Sequence, residues 1–235
     1  MLTACLVGAF AQTASAASIG VNFATDGTGA NFDLASTDST GAIPQQHWNN
    51  AHNTDATLSN LVDDSGNATG ASITWTHSPI STNVPGGTPI GNLLHGAIIS
   101  GPADSIVVSN IPYATFDLYL YIAAPNSTPS PVLFKINHGI DADHQLTVQG
   151  IPDRSLTPTF VLSTLQNAGS YLFLSGVSGS TLFIGGSGGP AVDGLQIVET
   201  PEPSSLALFI SAGICGAGWV LRRLRRSRIH TIDAA

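Results

Sequence analysis

Short segments in which apolar and polar residues alternate run through the middle of this chain. In TFDLYLYIA every second residue from Phe116 to Ile122 is apolar, which places these side chains on one face of an extended strand. Similar runs occur at SIGVNFA, ASITWTH, VLFKIN, QLTVQ, TFVLSTL, SYLFLSG, STLFIGG and GLQIVE, with Gly, Pro and Asn between them. A period of two with one apolar face is typical of antiparallel sheets. The pattern predicts an all-β fold, an antiparallel β-sandwich of the jelly-roll type.

The segments between the two chain ends form a single predicted domain at residues 17–198. No fixed repeat and no linker interrupts it. We expect a strand near its start to pair with one near its end, because such pairing protects sheet edges. Residues 33–65 are polar and read as less sheet-like, and IGNLLHGAII at 90–99 fits a helical turn.

Charge is distributed unevenly along the chain. Of its seven basic residues, five cluster near the C-terminus, and only Lys135 and Arg154 lie elsewhere. Twelve of the fifteen acids fall between Asp26 and Asp193, so the predicted domain carries 2 − 12 = −10 formal charges. Such a surface repels phosphate backbones, which argues against nucleic acid as a partner. A plainer interpretation of the acidity is solubility.

The N-terminus, MLTACLVGAFAQTASA, is typical of the later part of a secretory signal peptide at residues 1–16. A short apolar run precedes Ala14 and Ala16, the small residues of a cleavage site, so the mature chain would begin at Ala17. The basic residues that normally open such a peptide are missing, which a start codon assigned too late would explain. Both cysteines, Cys5 and Cys215, lie in targeting segments, so the predicted domain contains no disulfide.

The C-terminus has three parts in order: a Pro-Glu-Pro linker at 199–203, an apolar run at 204–221 and a basic tail at 222–235. As a helix the run would span about 24–27 Å, somewhat short of a typical hydrocarbon core but sufficient for a thin bilayer. Arginines that follow a membrane helix stay in the cytoplasm, so the domain before it would face outward.

These three parts resemble the PEP-CTERM sorting signal of Gram-negative bacteria. The residues that carry the resemblance are Pro201, Glu202, Pro203, Arg222, Arg223, Arg225 and Arg226. The resemblance implies that an exosortase, together with the secretion machinery, recognises the tail, and that the host makes extracellular polysaccharide. It also implies a temporary membrane anchor, after which the protein is attached to the cell surface or released. Two prolines would keep the linker extended and accessible to a processing enzyme.

The predicted domain also resembles a recurrent ectodomain found with such tails. The segments that carry this likeness are IPQQHWNN, LVDDSGNATGASITW, SNIPYATFDLYLYI and SYLFLSGVSGSTLFIGG…VDGLQIV. The group is similar to galactose-binding-like β-sandwiches, the shape of many carbohydrate-binding modules. It brings no catalytic residues to this chain.

Two places offer aromatic side chains for a saccharide. In the first, Trp48 could stack on a sugar ring while Asn49 and Asn50 bond its hydroxyls; alternatively Trp48 plugs the core and the asparagines hold the loop backbone. In the second, Tyr119 and Tyr121 share a strand face with an aspartate and would form a platform if that face is open. If a loop covers the face, they are packing residues. Trp75, on the apolar side of a strand, is predicted to be core.

Two acidic turns are candidates for a structural calcium ion, because alternating oxygen ligands in a tight turn can bind Ca²⁺. One contains Asp63 and Asp64 and the other Asp141 and Asp143. Neither has the closing glutamate of an EF-type loop, and the alternative for each is ordinary Asx-turn chemistry.

No catalytic constellation emerges from the sequence. HExxH and paired glutamates are missing from the predicted domain. Gly185-Gly186-Ser187-Gly188-Gly189 matches GxSxG in letters, but it lacks the strand-turn-helix setting of a nucleophile elbow and reads as a loop. We therefore expect a non-catalytic surface or matrix protein, structural or in contact with extracellular polysaccharide. The alternative is an extracellular hydrolase or lyase acting on polysaccharide, which would show several Asp or His side chains converging in a cleft.

Overall fold

The alternating segments form the strands of two β-sheets, as the sequence predicts. The structure is a computed structural model that describes residues 16–24, 32–52, 57–76, 80–82, 84–99, 106–123, 132–137, 144–148, 159–164, 169–187 and 191–200. These residues all belong to one compact unit that ends at Thr200. Strands dominate them, and the fold is all-β.

The first sheet contains seven of the described strands: β1 (Ser18–Phe23), β2 (Asn49–Ala51), β5 (Ile80–Ser81), β6 (Gly96–Ile99), β8 (Thr115–Ala123), β11 (Tyr171–Ser178) and β13 (Ala191–Glu199). Its main path runs β11-β8-β13-β1-β2, and β6 joins β13 beside β5. Since β11 pairs only with β8 on this path, it forms an edge of the sheet among the described strands.

The second sheet contains six of the described strands: β3 (Thr57–Ser59), β4 (Ser72–Trp75), β7 (Ile106–Ser109), β9 (Val132–Asn137), β10 (His144–Val148) and β12 (Thr181–Ser187). Their order is β10-β9-β12-β7-β4-β3, and neighbouring strands in this order are antiparallel.

The first and last strands pair with each other, which confirms that prediction. β1 runs antiparallel to β13, with Ser18 opposite Val198 and Asn22 opposite Gly194. One pairing departs from the antiparallel expectation: β2 lies parallel to β1. β2 and β3 also show that the polar stretch at 33–65 contributes short strands to both sheets.

The core lies between the two sheets and contains the predicted apolar faces. Phe23 of the first sheet meets Trp75 of the second edge to face, with 6.0 Å between the ring centroids. Trp75 is only 4% exposed, so its prediction as a core residue is confirmed. The same cluster takes every second residue of β8 from Phe116 to Ile122. Two sheets that share one core in this way form a sandwich.

A second apolar cluster lies on the opposite side of the first sheet. Its buried members are Leu34, Trp48, Val84, Leu93, Leu94 and Tyr121. As a result, β1 is buried on both faces, including the polar Ser18 and Asn22. The period-two pattern predicts a solvated outer face here and is wrong for this strand, because the loop at 32–48 covers it.

The predicted helical turn exists, whereas one predicted strand does not. Helix α1 (Pro89–Leu93) begins after Thr88, whose hydroxyl accepts a hydrogen bond from the Gly91 N–H at 3.1 Å, as an N-cap does. TFVLSTL was predicted to be a strand, but its described part contributes only an isolated parallel bridge from Leu162 to Tyr171. Val161 and Leu162 are 47% and 42% exposed, so no packed face holds this segment in a sheet.

Candidate functional site

The side-chain amides of Asn49 and Asn50 bond to the backbone of other segments of the chain. The Asn49 amide donates to the carbonyls of Gly20 and Val62, both at 2.9 Å, and its oxygen accepts from the Val62 N–H at 2.9 Å. Asn50 bonds both the N–H and the carbonyl of Leu34 at 3.0 Å. Both side chains are partly buried, and these bonds agree with the alternative interpretation, in which the asparagines hold the loop backbone.

Trp48 is a core residue of the second cluster, which corrects its assignment as a stacking platform. Its side chain is 5% exposed, and its ring meets that of Tyr121 edge to face at 5.9 Å. The indole N–H donates to the carbonyl of Gln45 at 3.2 Å. The alternative interpretation, that Trp48 plugs the core at a loop end, is the one that the structure supports.

Tyr121 is also buried, because the loop at 32–48 covers its end of β8. Its hydroxyl donates to Gln196 Oε1 at 2.9 Å and accepts from the Ala42 N–H at 2.7 Å. The Gln196 amide in turn donates to Gln45 Oε1 and to the Ile43 carbonyl, both at 2.8 Å. Burial raises the pKa of Tyr121 far above its ordinary value, so the hydroxyl stays protonated. Tyr121 is therefore a packing residue and not part of an open platform.

An uninterrupted series of aromatic rings continues from Tyr121 toward the sheet edge, and we call it the aromatic row. Its members, in spatial order, are Phe160, Tyr121, Tyr171, Tyr119 and Phe173. Tyr119 lies opposite Phe173 in the β8–β11 register, and their ring centroids are 4.9 Å apart. The centroids of Tyr119 and Tyr171 are 6.0 Å apart. All these contacts have tilted planes, a favourable arrangement for aromatic pairs.

Exposure increases along the aromatic row. Tyr121 is fully buried, Tyr119 and Tyr171 are partly buried, and Phe173 is 39% exposed. The open end thus presents two phenols and a phenyl ring on the outer face of the first sheet, where β8 pairs with β11. The exposed apolar side chains Val161 and Leu162 adjoin Tyr171 through the parallel bridge.

Asp117 provides a carboxylate at the open end of the row. It lies two residues before Tyr119 on the same face of β8, and its Oδ1 accepts from the Gly176 N–H at 3.0 Å. Gly176 has φ +67 within the irregular register between Leu174 and Val177, a conformation that glycine adopts without strain. Partial burial first, and then the nearby Asp117 charge, raise the pKa of Tyr119. Its phenol is therefore a hydrogen-bond donor at neutral pH.

The sequence pointed to only part of this site. Tyr119 was named, whereas Tyr171 and Phe173 were not, although both lie in SYLFLSG with the spacing of one strand face. The signal that would have found them is the pairing of β11 with β8, since it brings two aromatic faces together. Strand pairing is a long-range property that a single sequence does not display.

The Asp63–Asp64 turn shows the Asx-turn chemistry that was given as the alternative to calcium. Asp63 Oδ1 accepts from the backbone N–H groups of Ser65 and Asn67 at 3.0 and 2.8 Å. Asp64 Oδ1 accepts from the Ser18 N–H at 3.2 Å. Within the ranges that the structure describes, no three His, Cys, Asp or Glu side chains are grouped as metal ligands. Asp141 and Asp143 lie outside the described residues.

One acid and one imidazole approach each other near the end of β2. His52 Nε2 is 3.5 Å from Asp33 Oδ1, and both side chains are about one-third exposed, at 30% and 31%. Nearby, the ring of His95 stacks on that of Phe32, with centroids 3.4 Å apart. A single His–Asp pair is part of many hydrolytic sites but does not define a reaction by itself.

The targeting segments fall almost wholly outside the described residues. The predicted features that lie outside them are the predicted membrane helix at 204–221, Ala14 of the cleavage site, and the sorting residues Pro201, Glu202, Pro203, Arg222, Arg223, Arg225 and Arg226. Ala16 is described and lies two residues before the start of the first strand. Among the residues that the structure describes, no helix has the length and apolar character needed to cross a bilayer.

Comparison with known proteins found no matching family model, no matching curated protein and no matching solved structure.

Proposed function

We propose that this chain is an exported, non-catalytic surface or matrix protein that contacts extracellular polysaccharide through the open end of its aromatic row. The observation that carries the proposal is the cluster of Tyr119, Tyr171 and Phe173 on an outer sheet face, with Phe173 39% exposed. Exposed aromatic groups in contact on a rigid sheet are costly to hydrate and are typical of binding surfaces.

The chemistry of the row suits a sugar chain. Aromatic faces pack against the C–H groups of a pyranose ring, while phenols and a carboxylate bond its hydroxyls. Tyr119 and Tyr171 supply the phenols, and Asp117 supplies the carboxylate beside them. Because the domain carries −10 formal charges, a neutral polysaccharide fits better than an anionic one.

The finer fold assignment is part of the same proposal. We infer a jelly-roll-like sandwich of the galactose-binding-like kind, supported by the two antiparallel-rich sheets and by the pairing of the terminal strands β1 and β13. In such folds an outer sheet face or a loop end holds the ligand.

Export and sorting by the PEP-CTERM signal complete the proposal. The ordered strands begin at Ser18, just after the predicted cleavage site, and end at Glu199, just before Pro201. A folded unit that fits between the two predicted targeting segments is what export of residues 17–198 requires. The membrane helix at 204–221 would then anchor the protein until an exosortase processes it.

Binding to immobilised neutral and acidic polysaccharides tests the contact surface. Phe173→Ala and Tyr171→Ala are each expected to weaken binding about fivefold or more, since each removes a stacking contact worth about 1 kcal/mol. The matched control is Phe183→Ala, because Phe183 projects from the outer face of the second sheet, between the buried Leu182 and Ile184. Equal losses in all three variants, or no saturable binding by the wild type, would refute the aromatic row as a binding surface.

A hydrolytic function is the second candidate, and the Asp33–His52 pair favours it. The same incubations therefore include a search for released oligosaccharides, comparing the wild type with His52→Ala. Release that depends on His52 would identify an enzyme. Binding without release agrees with the non-catalytic proposal.

The sorting signal is tested separately. Replacing Arg222, Arg223, Arg225 and Arg226 with Gln removes the charge that would stop transfer through the membrane. We expect the precursor to escape retention and tail processing, as followed by cell fractionation and the mass of the product. Processing unchanged from the wild type would contradict the sorting proposal.

A further inference from the structure

The start of β1 and the end of β13 meet beside an acidic turn. The carbonyl of Ala17 accepts from the Glu199 N–H at 2.8 Å. Ser18 bonds Asp64 twice: its carbonyl accepts from the Asp64 N–H at 2.8 Å, and its own N–H donates to Asp64 Oδ1 at 3.2 Å. Ala17 is therefore held between two residues that carry carboxylates.

A buried tyrosine, Tyr113, is the third element of this site. Tyr113 is 8% exposed, and its hydroxyl makes no hydrogen bond within the described part of the chain. Burial raises the pKa of Tyr113, and the negative charges of Asp63, Glu199 and Asp64 raise it further. A buried polar atom without a partner is costly and points to a group that occupies the site in the functional protein.

We propose that this acidic site binds the α-ammonium group of Ala17, which forms when the signal peptide is removed. The proposal rests on the export part of the proposed function. A signal peptidase hydrolyses the Ala16–Ala17 peptide bond with one water molecule. The carboxylate leaves on Ala16, and the amine released on Ala17 takes up a proton.

The chemistry of an ammonium group matches what the site lacks. The precursor has a neutral amide with one N–H at Ala17, whereas the cleaved chain has one positive charge and three donors. The side chains of Asp64, Glu199 and Asp63, together with the Tyr113 hydroxyl, offer acceptors and negative charge. Lys135 is the lysine of the described residues, and it lies in β9 of the second sheet. Its neighbours Phe134 and Ile136 are buried on one face of that strand, and Lys135 lies on the other face.

The site makes the ionisation of Ala17 abnormal. An α-amino group ordinarily has a pKa of about 7.7–8.0, and neighbouring carboxylates favour its charged form and raise that pKa. The titratable groups of this site are Asp64 and Glu199, which bond Ser18 and Ala17, and Tyr113, on which the charge of Asp63 also acts. His47 Nδ1 lies 3.0 Å from the Asp64 carbonyl. The stabilisation is complete below the unfolded pKa and is lost as the pH rises through the folded one.

The test uses the full chain in detergent with the leader removed in vitro, so that Ala17 is the first residue. Competitive acetylation across a pH series, read by mass spectrometry of the N-terminal peptide, gives the α-amino pKa. We expect the α-amino pKa of Ala17 to lie about one unit or more above the ordinary value.

Asp64→Asn combined with Glu199→Gln should return the α-amino pKa toward the ordinary value. These amides keep the Ser18 hydrogen bond and the backbone ladder, so the fold is preserved. The control is Asp38→Asn. It removes one charge from a different turn, in which Asp38 Oδ2 accepts from the Ala35 N–H, and it should leave the α-amino pKa unchanged.

An ordinary pKa in the wild type, or a raised one that the double variant does not lower, would overturn the proposal. So would calcium stabilisation that is equal in the free and the N-acetylated chain, because the site would then hold a metal ion instead. N-terminal sequencing of the cell-made protein separates the two claims. A start other than Ala17 refutes cleavage at this bond in cells, while the pKa of the in vitro product still reports on the acidic site.

Discussion

Replacing Tyr121 with phenylalanine would isolate the hydroxyl that fastens the loop at 32–48 to the first sheet. The ring stays, so its contacts with Trp48 and Phe160 at 5.9 and 5.4 Å are kept. Two hydrogen bonds are lost, to Gln196 Oε1 and from the Ala42 N–H. Each is worth about 0.5–1.5 kcal/mol, and a buried acceptor left without a donor adds about 1 kcal/mol or more. We therefore expect the free energy of unfolding to fall by about 2–3 kcal/mol.

Urea unfolding, followed by tryptophan fluorescence, measures this loss. With an m-value of about 2 kcal/mol per M, the midpoint should fall by about 1 M while m stays the same. Tyr119→Phe is the matched control, because it removes a phenol hydroxyl from the next residue on the same face of β8, where the ring is only partly buried. Indistinguishable midpoints for the two variants would refute the reasoning, since the loop would then be held by other contacts.

Two further predictions concern the close packing at Gly20 and the two buried tyrosines, Tyr113 and Tyr121. Gly20→Ala would place a methyl group 2.7 Å from Trp48 Cε3 and against the amide of Gln45, so we expect a loss of about 1–3 kcal/mol; a wild-type urea midpoint would contradict the close packing of the loop. Above pH 10, unfolded tyrosines ionise while burial keeps Tyr113 and Tyr121 protonated in the fold. Stability should thus be intact below pH 10 and fall above it by up to about 1.4 kcal/mol per pH unit and group. Urea midpoints at pH 9 and 11 measure this, and an equal fall in Tyr121→Phe would exclude Tyr121 as a source.

The sequence predicted the all-β class and most of the core correctly because period-two patterning is local. Phe116 and its alternate neighbours in β8, as well as Trp75 in β4, face the core as expected. The pairing of β1 with β13 followed from the same reasoning about edges. The prediction of a strand at TFVLSTL was wrong, because an alternating apolar segment forms a strand only where a partner strand and a packed face are available.

The candidate site was predicted less well, since it depends on contacts between distant segments. The sequence left two interpretations of Trp48 open, a stacking group for a sugar and a core residue at a loop end. Only contacts between distant segments, such as those of the Asn49 and Asn50 amides, distinguish them. Phe173 looked like an ordinary strand residue until β11 paired with β8 and brought it to Tyr119.

The sequence by itself determined that this protein forms β-strands with one apolar face each, and it suggested where the exported part begins and ends. Only the tertiary structure decided whether the other face of a strand is buried or exposed. Tyr119 and Tyr121 are two residues apart and have the same pattern, but one is partly exposed and the other is buried. The difference arises from Gln196, which bonds Gln45 across 151 residues and holds the loop over Tyr121 alone. Alternation specifies the side of a strand, whereas burial depends on what the rest of the chain places there.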